Sequence, residues 1–136
     1  MAIPKKDWGT STIEGEDVDK GMVDHIYKRI TAITWEPHPV NENVRMGVIL
    51  TKKDDNVQIT AFKARVPKGE VIPEHSHPVH DILFPLSGKG KIWIKGLGDF
   101  ELKNGVVVCV PPGAVHKVYD VTEDLEVYDI FSGPIL

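Results

Sequence analysis

Past residue 39 the apolar positions fall into short runs of Val, Ile, Leu and Phe, each broken by residues suited to turns, and this texture predicts strands rather than helices. The runs predict strands at Val44–Thr51, Val57–Val66, Ile72–His77, Asp81–Leu86, Gly90–Lys95, Asp99–Leu102, Val106–Val110, Val115–Tyr119 and Leu125–Phe131. The breaks at 53–56, 67–69, 87–90, 96–98, 104–105, 111–113 and 122–124 carry Gly, Pro, Asn and Asp, which supply positive φ or fix it. Connections this short favour antiparallel pairing, and a sheet closed on itself would hide its edges, so the expectation is an all-β barrel or jelly roll over residues 40–136. Ahead of it, Val18, Met22, Val23, Ile26 and Ile30 recur at helical spacing with acidic residues first and Lys28 and Arg29 last. That predicts one short amphipathic helix over Asp17–Ile30, weakened by Gly21. Residues 1–16 read as a polar arm, so residues 1–39 are expected to be an arm and helix packing on the barrel.

With 136 residues, 41% of them hydrophobic, the chain has material for one core. A net charge of −4 with no clustered basic patch argues against a nucleic-acid partner. Cys109 is the sole cysteine, which leaves neither a disulfide framework nor a cysteine metal cluster. No apolar stretch follows the basic residues near Met1, and no run is long enough to span a bilayer, so a cytoplasmic protein with no membrane partner is expected.

The histidines change the picture. Four of the six lie between residues 75 and 116. His75 and His77 are two apart on a predicted strand, so both rings leave one face. Asp81 keeps that parity across the bend at Pro78, and His116 follows the 111–113 turn at the head of a later strand. Three imidazoles and a carboxylate suit one divalent transition metal, Fe(II) or Mn(II) ahead of Ni(II), Co(II) or Zn(II), and not an all-oxygen Ca(II) or Mg(II) site. Four protein ligands leave open positions for a substrate. His80 has the opposite parity, yet the local bend leaves it open as a replacement for Asp81 or as an acid–base group.

At these residues the chain resembles the cupin superfamily. The first family motif, G-x5-H-x-H-x3,4-E-x6-G, is met by Gly69, His75, His77 and Gly88, with Asp81 where Glu is usual. The second, G-x5-P-x-G-x2-H-x3-N, is met by Gly105, Pro111, Gly113 and His116, with Asp120 where Asn is usual. The resemblance covers about residues 57–131 and implies an antiparallel double-stranded β-helix with the metal between its sheets, commonly a homodimer. Asp81 is one methylene shorter than Glu, about 1.5 Å of reach. If that falls short, the resemblance implies a three-histidine site, as in some thiol and diketone dioxygenase cupins, with Asp81 orienting water or ligand.

The expected function is a metal-dependent enzyme on a small organic molecule, of dioxygenase or of lyase/isomerase type, with His80 and Asp81 as the candidate catalytic groups. The alternative is a cupin that binds or senses a small molecule without converting it. His25 and His38 are assigned to the surface or to local packing. Pro85 marks an edge or bulge, and Cys109 is expected to be a packed, inert thiol. Lys63, Arg65, Trp93, Lys95 and Tyr119 are candidates for pointing inward toward a substrate, with surface or core packing as the ordinary role of each.

Overall fold

The computed structural model describes residues 20–136, and its architecture follows from two long strands. The strands are β1 (Trp35–His38), β2 (Asn41–Leu50), β3 (Thr60–Val66), β4 (Ile72–His75), β5 (Asp81–Ile94), β6 (Gly98–Leu102), β7 (Val108–Val110) and β8 (His116–Phe131). Two one-turn helices accompany them, α1 (Val23–Ile26) and α2 (Lys52–Asp55). β5 and β8 run antiparallel from the pair Asp81 and Phe131 to the pair Ile94 and His116. At the Asp81 end β7 pairs with β5, while β3, β2 and β1 extend the sheet beyond β8. At the Ile94 end β6 pairs with β5 and β4 pairs with β8. Two sheets therefore share β5 and β8, and the apolar core between them draws Val44, Val66 and Leu83 from one and Ile72, Ile92 and Leu102 from the other.

Both long strands change side where they bend. In β5 the inward residues are Asp81, Leu83 and Pro85, then Gly90, Ile92 and Ile94, with register shifts between Pro85 and Lys91. In β8 they are His116 and Val118, then Val121, Leu125, Val127, Asp129 and Phe131, and the switch falls at Asp120, whose φ is +47°. A slip of one residue turns every later side chain to the other face, so one strand can serve the core in both sheets. Asp and Asn are the non-glycine residues that tolerate positive φ best, which accounts physically for Asp120 at the motif's Asn position. Pro85 sits at both an edge and a bulge: β7 stops pairing at Leu83 and β6 begins at Gly90, so only β8 pairs with it, and the β5–β8 register shifts between Pro85 and Ser87. Gly88, at φ +83°, crosses β8 so closely that a Cβ there would lie 2.0 Å from the Asp124 carbonyl oxygen.

The expected closed sheet is corrected. Among the described residues the hydrogen-bonded path is open, running from β1 to β6 with β4 and β7 as further margins. The margins are guarded by Pro37 on β1, Pro73 on β4 and the carboxylates Asp99 and Glu101 on β6. The predicted helix over Asp17–Ile30 shrinks to α1 between two 3-10 turns, with its part before residue 20, and the arm, outside the described residues. α1 has no buried residue, and its neighbourhood is tied to the sheet by charge. Asp55 meets Lys28 Nζ at 2.6 Å and His25 Nδ1 at 2.9 Å. β1 was not foreseen; it brings four residues of the expected N-terminal segment into the sheet. The turn at 53–56 is a capped helical turn, with Thr51 Oγ1 accepting the Asp54 N–H and Asn56 closing it in the left-handed region. Among the described residues no helix is long and apolar enough to cross a membrane.

Candidate metal centre

β4 ends at His75, which lies directly across from His116 on β8. The expected strand continuation to His77 is corrected: residues 76–80 form a loop, and the loop is pinned at both ends. The Gly113 N–H donates to the His77 carbonyl at 2.7 Å, drawing the 111–113 turn onto the loop beside His116. Farther on, the His80 N–H donates to Ser132 Oγ at 3.0 Å and the Ser132 N–H donates back to the His80 carbonyl at 3.1 Å. Asp81 then opens β5. Asp81 and His116 stand at opposite ends of the β5–β8 ladder, and they meet because the two sheets fold over one another.

The result is a tight cluster. Ring centroids lie 4.3 Å apart for His75 and His116, 4.8 Å for His75 and His77, and 5.4 Å for His77 and His116. One donor atom from each of His75, His77, Asp81 and His116 falls within 4.8 Å of all the others. Asp81 Oδ2 is 3.2 Å from His116 Nε2 and 3.6 Å from His77 Nε2. Those are separations that two donors on one ion at about 2.1 Å can have. Despite its short side chain, Asp81 stands in the donor set, because the β5 backbone itself begins at the site. His80 does not: it is exposed and lies outside both the donor cluster and the cavity wall.

The chemistry of the donors fits a cation. His75 Nδ1 is 2.7 Å from the Pro73 carbonyl and His116 Nδ1 is 2.8 Å from the Ala114 carbonyl. A carbonyl can only accept, so each Nδ1 carries the proton and each Nε2 presents a lone pair, the arrangement that metal-ligating histidines use. His77 Nε2 and Asp81 Oδ1 are buried without any hydrogen-bond partner, a costly state that an ion would relieve. Burial lowers the pKa of His75 and of His77 and so favours the neutral, ligating ring. Burial alone would raise the Asp81 carboxyl, but the contact with Asp129 and the imidazoles of His116 and His77 close beside it outweigh burial and hold it below its usual value.

Two residues went unread in the sequence. Asp129, diagonal to Asp81 on the inner face of β8, lines the cavity. Burial, the Asp81 charge and hydrogen bonding to Asp81 push its carboxyl well above the ordinary range and so favour the protonated form. The available signal was parity, since Asp129 takes an inward position between Val127 and Phe131. His38, expected on the surface or in local packing, stands in the cavity wall with its ring 6.2 Å from that of His75. Burial, then the neighbouring imidazoles of His75 and His77, lower its pKa to about 4.

The cavity has a volume of about 260 Å³, and Met46, Phe62, Ile72, Leu83, Val118 and Phe131 are among the apolar residues of its wall. None of Lys63, Arg65, Trp93, Lys95 and Tyr119 reaches it. Lys63 pairs with Glu126 at 2.9 Å, Arg65 stacks 3.9 Å over Trp35, and Tyr119 donates to Asp99. Cys109 is exposed on the marginal strand β7, which corrects the packed thiol.

The profile of the family described as Cupin domain matches residues 62–131. An uncharacterized protein of Streptomyces coelicolor is 33% identical over 66 residues, 48% of this chain and 62% of that protein, so the match spans less than two thirds of the relative. The crystal structure of a predicted oxalate decarboxylase from Thermotoga maritima superposes with a TM-score of 0.66 at 24% identity, covering 76% of this chain and 95% of that one. A cupin-like protein from the same organism gives a TM-score of 0.60 at 26% identity, covering 68% of this chain and 69% of that one.

Proposed function

The chain belongs to the cupin-domain family, and from that premise we propose that it is a metal-dependent enzyme that moves a proton during cleavage or isomerisation of a small organic molecule. One observation carries the metal half of the reading: two imidazoles tautomerised by backbone carbonyls converge with a buried, partnerless His77 Nε2 and a carboxylate. His75, His77, Asp81 and His116 would hold the ion, which when bound supplies a Lewis acid for a substrate oxygen. Fe(II) and Mn(II) are the proposed occupants, on the donor set of three nitrogens and one oxygen.

The proton half rests on Asp129. Burial and the Asp81 charge favour its protonated form, and it borders the cavity beside Asp81. A buried acid beside a buried base is how one site gives and takes a proton near neutral pH. Among the described residues no tyrosine lines the cavity, and His80 lies outside it. Proton transfer therefore suits the geometry better than oxygenation, and decarboxylation, the activity in the name of the Thermotoga maritima neighbour, falls in the same reaction class. The reading takes the protein as a homodimer with a small-molecule ligand, and light scattering would give the mass.

The test is metal analysis joined to turnover. About one equivalent of Fe or Mn per chain is expected as isolated, falling to near zero in His75→Ala, His77→Ala and His116→Ala. With metal restored, turnover of carbonyl and carboxylic substrates should persist without oxygen. Oxygen consumption matching product would replace this reading with a dioxygenase, and tight binding with no product would replace it with a non-catalytic binder.

A further inference from the structure

β1 precedes the family-matched segment, and it places one residue at the cavity. The β1–β2 hairpin turns at Pro39 and Val40, with a register shift between Pro37 and His38 just before the turn. There His38 Nδ1 accepts the Val40 N–H at 3.2 Å. A ring nitrogen that accepts carries no proton, so in the neutral ring the proton sits on Nε2. His75 and His116 are set the opposite way, with Nδ1–H spent on carbonyls. Two rings thus offer lone pairs, as ligands must, while His38 offers an N–H. It stands outside the four-residue donor set, half-buried in the cavity wall, edge-on to His75 and 6.5 Å from the ring of Phe62.

The rest of the wall restricts the guest. At about 260 Å³ the cavity is smaller than most ligand pockets, which run roughly 300–1,000 Å³. Among the described residues neither lysine nor arginine lines it, and the Asp81 carboxylate would already offset one charge of a divalent ion held there. A guest with two negative charges would find nothing to offset the second in a site of low dielectric.

We propose, resting on the metal-site reading above, that His38 is a substrate-binding residue whose ring N–H donates to an oxygen of a small monoanion with an apolar body. The monoanion's polar end faces the four-donor cluster, and its body packs on Met46, Phe62 and Phe131.

The test uses the full chain loaded with Co(II), titrated with butyrate and benzoate and with their added-carboxylate counterparts, succinate and terephthalate. Calorimetric heat and the Co(II) visible bands are the readouts, and neither requires turnover. The monocarboxylates should bind at least fivefold more tightly than their dianionic counterparts. His38→Ala should keep its Co(II) and lose about tenfold in benzoate affinity, the effect of one hydrogen bond to a charged group. His38→Gln, whose amide still donates, should recover part of that loss. The proposal is overturned if dianions bind as tightly as monoanions, if neither monocarboxylate binds, or if both variants match the wild type with Co(II) retained; each leaves the metal site standing. Loss of Co(II) in His38→Ala would make His38 a ligand and overturn it as well. A wild-type chain that takes up no Co(II) would take down the metal-site reading along with it.

Discussion

Asp129 and His77 are both buried polar groups at the centre, and the structure treats them differently. His77 Nε2 has no hydrogen-bond partner, and neither has Asp129 Oδ1, but a neutral imidazole has a lone pair to give a cation, whereas burial and the Asp81 charge oppose the ionisation of Asp129. The difference predicts separable losses. Asp129→Asn preserves shape and polarity but has no proton to release, so metal content should stay at the wild-type level while kcat falls by about 10²–10⁴, the usual contribution of a positioned acid–base group. Asp81→Asn should weaken the metal itself, since it exchanges a charged ligand for a neutral one. Metal analysis beside steady-state kinetics on the same samples distinguishes the two, and equal metal loss in both variants would deny Asp129 a separate role.

Among the elements, the bend shared by β5 and β8 has the least tolerance for change. Gly88 combines positive φ with an approach that leaves no room for a Cβ against the Asp124 carbonyl. Gly88→Ala should cost at least about 2 kcal/mol, seen as a lower urea midpoint, because backbone rather than a flexible side chain must yield. This bend also marks where sequence reading ran out. The apolar runs predicted both halves of β5 and β8 as separate strands, because the Gly-rich stretch 87–90 and the run 122–124 have the composition of hairpin turns. Only tertiary pairing shows that the chain stays in the ladder through them. The four clustered residues were legible because ligand chemistry restricts residue type and spacing together. His38 was not, since a single histidine beside Pro39 carries no periodicity, and its place depends on a hairpin that pairs with β2. Cys109 was misjudged for a related reason: apolar neighbours in sequence do not tell an inner strand from a marginal one.

For the molecule as a whole, the lowered histidines set the response of the metal-free protein to acid. His38, His75 and His77 each hold a pKa below their ordinary 6.5 when folded. Between 6.5 and the folded values, the unfolded chain binds these protons and the native one does not, so stability declines as pH falls through that window. Asp129 acts in the opposite sense, keeping a proton in the native state that the unfolded chain has released, but it is one group against three. The expected outcome is a melting temperature of the chelator-treated protein that drops steadily from pH 6.5 toward about 4, and less steeply once His38 is replaced by Gln. A flat profile over that range would contradict the burial of these rings.

Because β5 and β8 each contribute backbone to both sheets, there is no seam along which the molecule could open in halves. Denaturation should proceed as a single event, with slowly exchanging amides on either layer reporting the same free energy. Whatever tightens the grip where His75 faces His116 should also slow exchange in β3, across the shared strands.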